Sequence, residues 1–325
     1  TRGGWCASDS AACGGQLDSY DLLVCASAVV ALVVILTRFL MRLYLVDGSF
    51  ELFRCYYGAP QAQRSDGQQV GAARALFHTL TSLLRDPTLT HVAIAFDSMT
   101  SLAAREDDDT AKIQAQFDIA LSVCRALGMT LWPMSSHIQA DDALATAAHR
   151  FAEDEQLEQI VICSSDNDFA QCVRGDKVVV LNRIKRHTLN EVGVAEKFGV
   201  IPERIPEYLA LVGDKSDGIP GLPGFGPKAA AAVIRRYGRM ESIPVAEEPW
   251  DEVQIRGQER LQQVFRERRQ EAILYRNLSI KRVDVPLPES LDQLQWQGAI
   301  RGQVDAVTQQ LEDDSLSLRT LRYRD

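Results

Sequence analysis

Residues 211–228 read LVGDKSDGIPGLPGFGPK and contain five glycines, three prolines and two aspartates. So many Gly and Pro residues exclude a continuous helix or strand. The preceding segment, 202–212, has helical spacing, and Pro227 suits the first turn of a following helix because its missing N–H costs nothing there. The stretch therefore predicts two helices joined by a tight hairpin loop, the whole unit spanning residues 202–238.

The glycines of this loop predict a phosphate-binding surface. Gly221, Gly224 and Gly226 carry no Cβ, so backbone N–H groups could approach a phosphate closely, with a helix N-terminus directly behind. Lys228 adds a positive charge at that helix start. The loop carbonyls could also hold a monovalent cation such as K⁺ that bridges to the phosphate. An ordinary Pro/Gly loop is the alternative, which the aspartates, Lys228 and the flanking helices disfavour.

Composition sets broad limits on the class of protein. The chain has 325 residues, of which 46% are hydrophobic and 24% charged, as expected of one large or two modest globular domains. The net charge of −9 argues against a broadly basic nucleic-acid binder, although metal-binding carboxylates would add to the negative total without repelling DNA once cations are bound. Seven cysteines without a CxxC pair favour a reducing compartment over a disulfide framework or a zinc site.

The first forty residues differ from the remainder. Residues 22–36 carry no charge, but the run is shorter than the roughly 20 apolar residues that a spanning helix needs. Two interpretations remain open: a membrane anchor through residues 22–40, or an N-terminal extension over 1–40 that precedes a functional start at Met41. We favour the extension because the fold pattern begins just after Met41.

From residue 41 onward, strand and helix patterns alternate. Short apolar runs predict buried parallel strands over 43–47, 91–97, 129–134, 159–166 and 178–182. Helical spacing lies between them, over 68–85, 111–127 and 140–151. Together these patterns predict a doubly wound, mostly parallel α/β domain over residues 41–185, with its ligand crevice outside the carboxyl ends of the strands.

After Arg183 the strand patterns are expected to stop. Residues 186–325 predict a smaller helical subdomain that contains the hairpin unit. Further helices are expected over 190–199 and 257–277, followed by a terminal helical wrap that begins at 286–295.

Aspartates gather at the predicted crevice and at the hairpin. They are Asp47, Asp97, Asp141, Asp142, Asp166, Asp168, Asp214 and Asp217. Each alone could be a turn, N-cap or helix-dipole residue. Packed together they would repel one another unless protons or cations neutralise them. Ligation by carboxylates alone favours Mg²⁺ or Mn²⁺ over zinc, and two such ions could activate a water and stabilise the leaving oxygen of a phosphodiester.

The order of these motifs resembles one known family. Strand-end aspartates, the helix start QADD at 139–142, the loop DND at 166–168 and the hairpin GDKSDGIPG at 213–221 are similar to the 5′-nuclease superfamily. That superfamily includes the flap endonucleases and the 5′–3′ exonuclease domain of bacterial DNA polymerase I. The resemblance covers residues 42–296 and implies a PIN-like fold with a helix–three-turn–helix, a helix–hairpin–helix type of motif, that tracks duplex DNA.

The resemblance also implies roles for individual residues. Asp47, Asp97 and Asp141, with Asp142 as a further candidate, would hold a first Mg²⁺ or Mn²⁺ ion. Asp166, Asp168 and Asp214, with Asp217 as a further candidate, would hold or orient a second ion. Arg54 would meet a phosphate. The implied protein is a cytoplasmic monomer of bacterial type that acts on DNA with a 5′ end, flap or nick and uses no small-molecule cofactor.

Two departures from the family pattern leave activity open. Gln139 stands where the family has Glu, so one anionic ligand of the first ion is neutral here. The segment 98–116 is shorter than the family's basic arch and is acidic. The leading hypothesis is a divalent-metal 5′ nuclease that cuts DNA by a two-ion mechanism. The alternatives are a relative that binds branched or duplex DNA without cutting, and a PIN-type RNase, which would leave the hairpin unexplained.

Overall fold

The computed structural model of the chain describes residues 41–98, 108–135, 137–245, 250, 253–313, 316 and 322–324. The predicted extension and its apolar stretch, and the first part of the acidic segment 98–116, lie outside these ranges. Among the helices that the structure does describe, none has both the length and the apolar character that crossing a bilayer requires.

A parallel sheet forms the centre of the N-terminal half. Its strands are β1 (Met41–Asp47), β2 (His91–Phe96), β3 (Thr130–Pro133), β4 (Leu157–Cys163), β5 (Val178–Asn182) and β6 (His187–Leu189). They lie in the order β3-β2-β1-β4-β5-β6, and every pairing is parallel except that of β5 with β6. The sheet is therefore doubly wound and mostly parallel, as the sequence predicts.

Helices cover both faces of the sheet and form the C-terminal part. They are α1 (Gly48–Gly58), α2 (Gly71–Leu84), α3 (Asp108–Gln114), α4 (Phe117–Ala126), α5 (Ala140–Phe151), α6 (Glu191–Phe198), α7 (Ile205–Val212), α8 (Pro227–Tyr237), α9 (Gln258–Ser279) and α10 (Arg301–Leu311). A short 3₁₀ helix over Asp168–Cys172 follows β4. Two short strands, β7 (Ala299–Ile300) and β8 (Tyr323–Arg324), pair in parallel near the C-terminus.

The strands that follow residue 183 correct one prediction. β6 pairs with β5 at the edge of the main sheet, and β7 pairs with β8. These strands are two or three residues long, too short to show the alternation by which a strand is recognised in sequence. The prediction that strands end at residue 183 is therefore wrong.

Two predicted helices also differ. The helix expected over 111–127 breaks between α3 and α4, because Gln116 turns inward and its side-chain carbonyl accepts from the backbone N–H groups of Ala72 and Ala73, at 2.9 and 3.3 Å. This amide oxygen satisfies donors at the start of α2 that have no partner within that helix. The segment 286–295 has no regular α-helix and contains a 3₁₀ turn at Asp292–Leu294.

The central strand explains why both faces of the sheet are covered. Leu43 and Leu45 of β1 pack into one core with α5 and the C-terminal helices, whereas Tyr44 and Val46 pack into a second core with α1, α2 and α4. Successive residues of a strand point to opposite faces, so an uninterrupted apolar strand requires cover on both sides.

The hairpin between α7 and α8 closes on itself through backbone contacts. Asp214 and Ile219 exchange backbone hydrogen bonds of 2.8 and 2.7 Å, and Leu222 N donates to Leu211 O at 2.8 Å. Gly221 has φ +71°, and a Cβ placed on it would lie 2.5 Å from the backbone N of Gly213. Gly221 is thus required by the packing of the loop against the end of α7.

We expect Gly221→Ala to lower the free energy of unfolding by roughly 2–4 kcal/mol, because it adds left-handed strain to a backbone clash. Gly226→Ala is the matched control: its φ of −101° is ordinary and a Cβ there has no neighbour within 4 Å. That change should cost about 1 kcal/mol or less, as an unfavourable N-cap. Chemical denaturation of both variants measures the difference, and equal losses would contradict this account of the loop.

Candidate active site at the carboxyl edge of the sheet

The strand order places a crevice at the carboxyl ends of β1, β2 and β4. The chain winds to one side through β2 and β3 and to the other through β4 and β5, so the order reverses at β1. Open parallel sheets bind ligands at this point of reversal. Asp47 ends β1, Asp97 follows β2, and the loop with Asp166 and Asp168 follows β4.

Asp47 is held in a fixed position although it is almost fully buried, with 5% of its surface exposed. One carboxylate oxygen accepts from the backbone N–H of Phe50 at 2.9 Å and so caps α1. The other accepts from the hydroxyl of Ser164 at 2.9 Å. Ser164 also accepts from the backbone N–H of Asp166 at 3.2 Å, which joins the ends of β1 and β4.

Asp97 joins the end of β2 to the start of α5. Its carboxylate accepts from the backbone N–H of Ala140 at 2.8 Å, and its own N–H donates to the hydroxyl of Ser49 at 2.9 Å. Asp141 follows Ala140 in the first turn of α5, so this contact brings the two acids to the same side of the crevice.

The hairpin brings further acids to the loop after β4. The hydroxyl of Ser216 lies between two carboxylates, 2.5 Å from an oxygen of Asp214 and 3.2 Å from one of Asp166. The second oxygen of Asp214 is buried and has no hydrogen-bond partner within the described ranges. An unsatisfied buried carboxylate oxygen is an acceptor that a hard cation would suit.

These elements enclose a cavity of about 570 Å³ with an acidic lining. Five of the predicted aspartates line it: Asp47, Asp97, Asp141, Asp166 and Asp217. Gln139, Phe50 and Phe53 also line it. No three of the described His, Cys, Asp or Glu side chains converge on a single point that could enclose an ion, so the ligand assignments stay predictions.

Burial makes the charged form of these acids costly. It raises the pKa of Asp47 well above its usual range, with a further contribution from the charge of Asp141. Burial raises the pKa of Asp141 to about 6, against the opposing effect of Lys281. The pKa values of Asp166 and Asp168 are also raised, mainly by burial. The donors are all oxygen and carry closely spaced negative charge, which fits Mg²⁺ or Mn²⁺.

Lys281 is the site residue that sequence analysis missed. Its ammonium lies 3.1 Å from Asp141, in closer contact with Asp168, and 3.7 Å from Asp217. Burial opposes its charge, but the attraction of these carboxylates outweighs burial and raises the pKa of Lys281. No local motif marks this lysine in the sequence, because its partners lie 64 or more positions away along the chain.

Two predicted residues have different surroundings from those expected. Asp142 faces the segment after α9, where its carboxylate accepts from the backbone N–H of Arg282 at 2.9 Å. Arg54 contacts the buried Glu51 and donates to the hydroxyl of Thr79 at 2.8 Å. Both residues thus have structural partners, and a role for Arg54 at a phosphate stays a prediction.

A second, less acidic groove of about 1030 Å³ runs beside the hairpin. It is lined by Gly226 and Lys228 at the start of α8 and by three other cations: Lys197, Arg235 and Arg256. Lys197 also donates to the side chain of Asn167 at 2.7 Å, which places one end of the groove next to the loop with Asp166 and Asp168. Gly221 and Gly224 instead have positive φ angles that shape the loop.

Two family models together match the chain over residues 42–301. Residues 42–199 match the family model of the 5′–3′ exonuclease N-terminal resolvase-like domain, and residues 200–301 match that of the 5′–3′ exonuclease C-terminal SAM fold. A 5′–3′ exonuclease of Aquifex aeolicus is 30% identical over 210 residues, which are 62% of this chain and 71% of that protein.

DNA polymerase I of Pseudomonas aeruginosa is 32% identical over 262 residues, 78% of this chain and 28% of that protein. The chain thus spans less than a third of the length of such DNA polymerase I relatives. Solved structures of T5 5′-exonuclease with divalent metal ions (zinc) bound, and of T5 flap endonuclease in a pseudo-enzyme–product complex with DNA and metal ions, share the fold. Their TM-scores are 0.56 and 0.54, both at 18% identity, and they cover 85% of this chain and 95% and 94% of theirs.

The buried charge of Asp47 predicts a variant that is more stable than the natural protein. Its raised pKa means that ionisation opposes folding, an effect that is absent at low pH and complete above the folded-state pKa. Asn caps a helix as well as Asp does. In EDTA at pH 8, Asp47→Asn should therefore raise the free energy of unfolding by on the order of 1 kcal/mol.

Urea unfolding at pH 8 and pH 5 measures this effect, and the gain should shrink at the lower pH. Asp118→Asn, at an exposed position in the first turn of α4, is the control and should show no such gain. An Asp47→Asn protein that is less stable at pH 8 would contradict the proposed penalty.

Proposed function

This chain belongs to the 5′–3′ exonuclease family, and from that membership and the site geometry we propose that it hydrolyses DNA phosphodiester bonds near a 5′ end with the help of divalent metal. The observation that carries the proposal is the cavity in which Asp47, Asp97, Asp141, Asp166 and Asp217 meet at the carboxyl edge of the sheet. Repulsion among these five carboxylates lowers the stability of the fold, so a protein without a bound cation would gain nothing from it. We propose that its substrates are free 5′ ends, 5′ flaps or nicks in DNA.

The acids that line the cavity would hold the metal. Asp47, Asp97 and Asp141 lie on one side, with the side-chain carbonyl of Gln139 as a neutral donor nearby. Divalent metal bound there would supply an activated water and would stabilise charge on the phosphate. The protein contributes rigidity, because Asp47 and Asp97 are fixed by Phe50 N–H and Ala140 N–H and keep their orientation without substrate.

The cavity wall also suits a nucleotide. Phe50 and Phe53 line it on the α1 side and offer apolar surface on which a terminal base could stack. The basic groove beside the hairpin would hold the phosphates of the duplex through Lys228, Gly226 and the start of α8. In the same proposal, the loop carbonyls of the hairpin would hold a K⁺ ion that bridges to a DNA phosphate.

A second candidate function is DNA binding without cleavage. Two observations favour it: the neutral Gln139 in the cavity wall, and the ammonium of Lys281 among the acids. Both reduce the negative charge that draws divalent cations. The resemblance implies a two-ion mechanism. Such a mechanism requires that the ammonium of Lys281 leave room for a second ion among these acids.

Cleavage of labelled DNA separates the two candidates. With Mn²⁺ or Mg²⁺, we expect the chain to cut 5′-flap or nicked DNA, and Asp97→Asn to lower kcat by at least about 100-fold, a loss typical of removing one group that stabilises transition-state charge. DNA binding by this variant should persist. Asp118→Asn, at an exposed helix position, should cut at the natural rate. Binding without any cutting by the natural chain would support the second candidate, and cutting of RNA alone would overturn both.

Lys228→Ala tests the groove. Losing one phosphate contact should weaken duplex binding and reduce the dependence of log K on log salt by about 1 unit, without changing cleavage at saturating DNA. Arg125→Ala, an exposed arginine in the last turn of α4, is the matched control and should bind normally. Fluorescence anisotropy across a salt series measures both variants, and an equal salt slope in both would contradict a phosphate contact at Lys228.

A further inference from the structure

Lys281 follows the C-terminal end of α9, and its backbone is fixed at two successive positions. Lys281 N donates to the side-chain oxygen of Gln171 at 3.0 Å, and Arg282 N donates to Asp142 at 2.9 Å. Gln171 in turn donates to the carbonyl of Asp168 at 2.9 Å. The side chain of Lys281 is only 5% exposed. These contacts direct the stem of the lysine into the acidic cluster and away from solvent.

The ammonium group contacts carboxylates from three separate elements. Asp141 lies at the start of α5, Asp168 in the 3₁₀ helix after β4, and Asp217 in the hairpin. The ammonium donates a hydrogen bond to Asp141 and forms ion pairs with Asp168 and Asp217. Asp168 is fully buried, so loss of the ammonium would leave an unpaired buried charge, which is unfavourable.

A hard cation at the second position would bind the same carboxylates. Mg²⁺ and Mn²⁺ bind carboxylate oxygens directly, at about 2.0–2.1 Å for Mg²⁺. A divalent ion on these acids would be repelled by the positive charge of the ammonium that already contacts them. The family resemblance assigns two of the three contacted acids, Asp168 and Asp217, to a second ion, and the third, Asp141, to the first. Lys281 therefore lies at acids assigned to that ion, whereas among the described residues Asp47 bonds Phe50 N–H and the Ser164 hydroxyl, and Asp97 bonds Ala140 N–H.

We propose that the ammonium of Lys281 takes the place of the second divalent cation, so that this chain binds one divalent cation, on the side of the cavity formed by Asp47 and Asp97. This inference rests on the proposed nuclease function, because that function is the reason to expect one bound divalent ion. Lys281 acts as a positioning residue: it holds the three carboxylates together and neutralises part of their charge. An ammonium does not coordinate water, so water activation belongs to the side with the ion.

Counting bound Mn²⁺ tests the proposal. Isothermal titration calorimetry and electron paramagnetic resonance of the full chain should give one Mn²⁺ per natural molecule. Lys281→Met keeps an unbranched stem, removes the charge and should bind two, with magnetic coupling between neighbouring ions. The control Arg282→Met alters an exposed side chain paired with Asp284 and should bind one.

The outcomes separate this proposal from the proposed function. Two ions in the natural chain, or an equal number of ions in the natural chain and in a folded Lys281→Met protein, would overturn the role of Lys281. Absence of DNA cleavage together with the expected shift from one ion to two would overturn the nuclease function alone. No ion in the natural chain and one in Lys281→Met would support Lys281 as a resident cation while contradicting metal-dependent catalysis.

A second variant guards against a simple loss of folding. Lys281→Met combined with Asp168→Asn removes the buried charge together with its partner and so avoids an unpaired carboxylate. It should melt at a higher temperature than Lys281→Met in EDTA and should again bind one Mn²⁺, because the second position has lost a ligand. Two bound ions in this double variant would contradict Asp168 as part of that position.

Discussion

Repulsion among buried carboxylates at the carboxyl edge of the sheet is the constraint on which the rest of the structure depends. Parallel strands end on the same edge, so acids that close β1 and β2 and follow β4 are brought together by the topology itself. Burial removes the water that would screen them, and the pKa values of Asp47, Asp166 and Asp168 rise as a result. A fold that tolerates this arrangement must supply compensating positive charge.

Much of that compensation comes from the backbone. Asp47 caps α1 through Phe50 N–H, and Asp97 accepts from Ala140 N–H at the start of α5. A helix N-terminus carries partial positive charge, so both acids face the favourable end of a helix dipole. These backbone N–H groups therefore stabilise the negative charge of both carboxylates. They also fix the orientation of both side chains.

The C-terminal helical part supplies the remainder. α9 packs against α7 and ends two residues before Lys281, whose ammonium contacts the acids of the cluster. The hairpin contributes Ser216, which bonds Asp214 and approaches Asp166. Lys197 connects the basic groove to the loop after β4. The two parts of the chain thus share one charged centre, which connects the basic groove beside the hairpin to the acidic cavity.

The sequence by itself determined the features that depend on neighbouring residues. Apolar strands, the aspartates at or after their carboxyl ends, the start of α5 at Ala140 and the glycine-rich hairpin all follow from local pattern and backbone chemistry, and the structure confirms them. Only the tertiary structure decided the partners of Lys281 and Asp142, the break at Gln116 and the short strand β6. Each of these depends on contacts between residues far apart in the chain, where the energy of a buried charge or amide overrides local preference. Local sequence patterns do not predict such contacts.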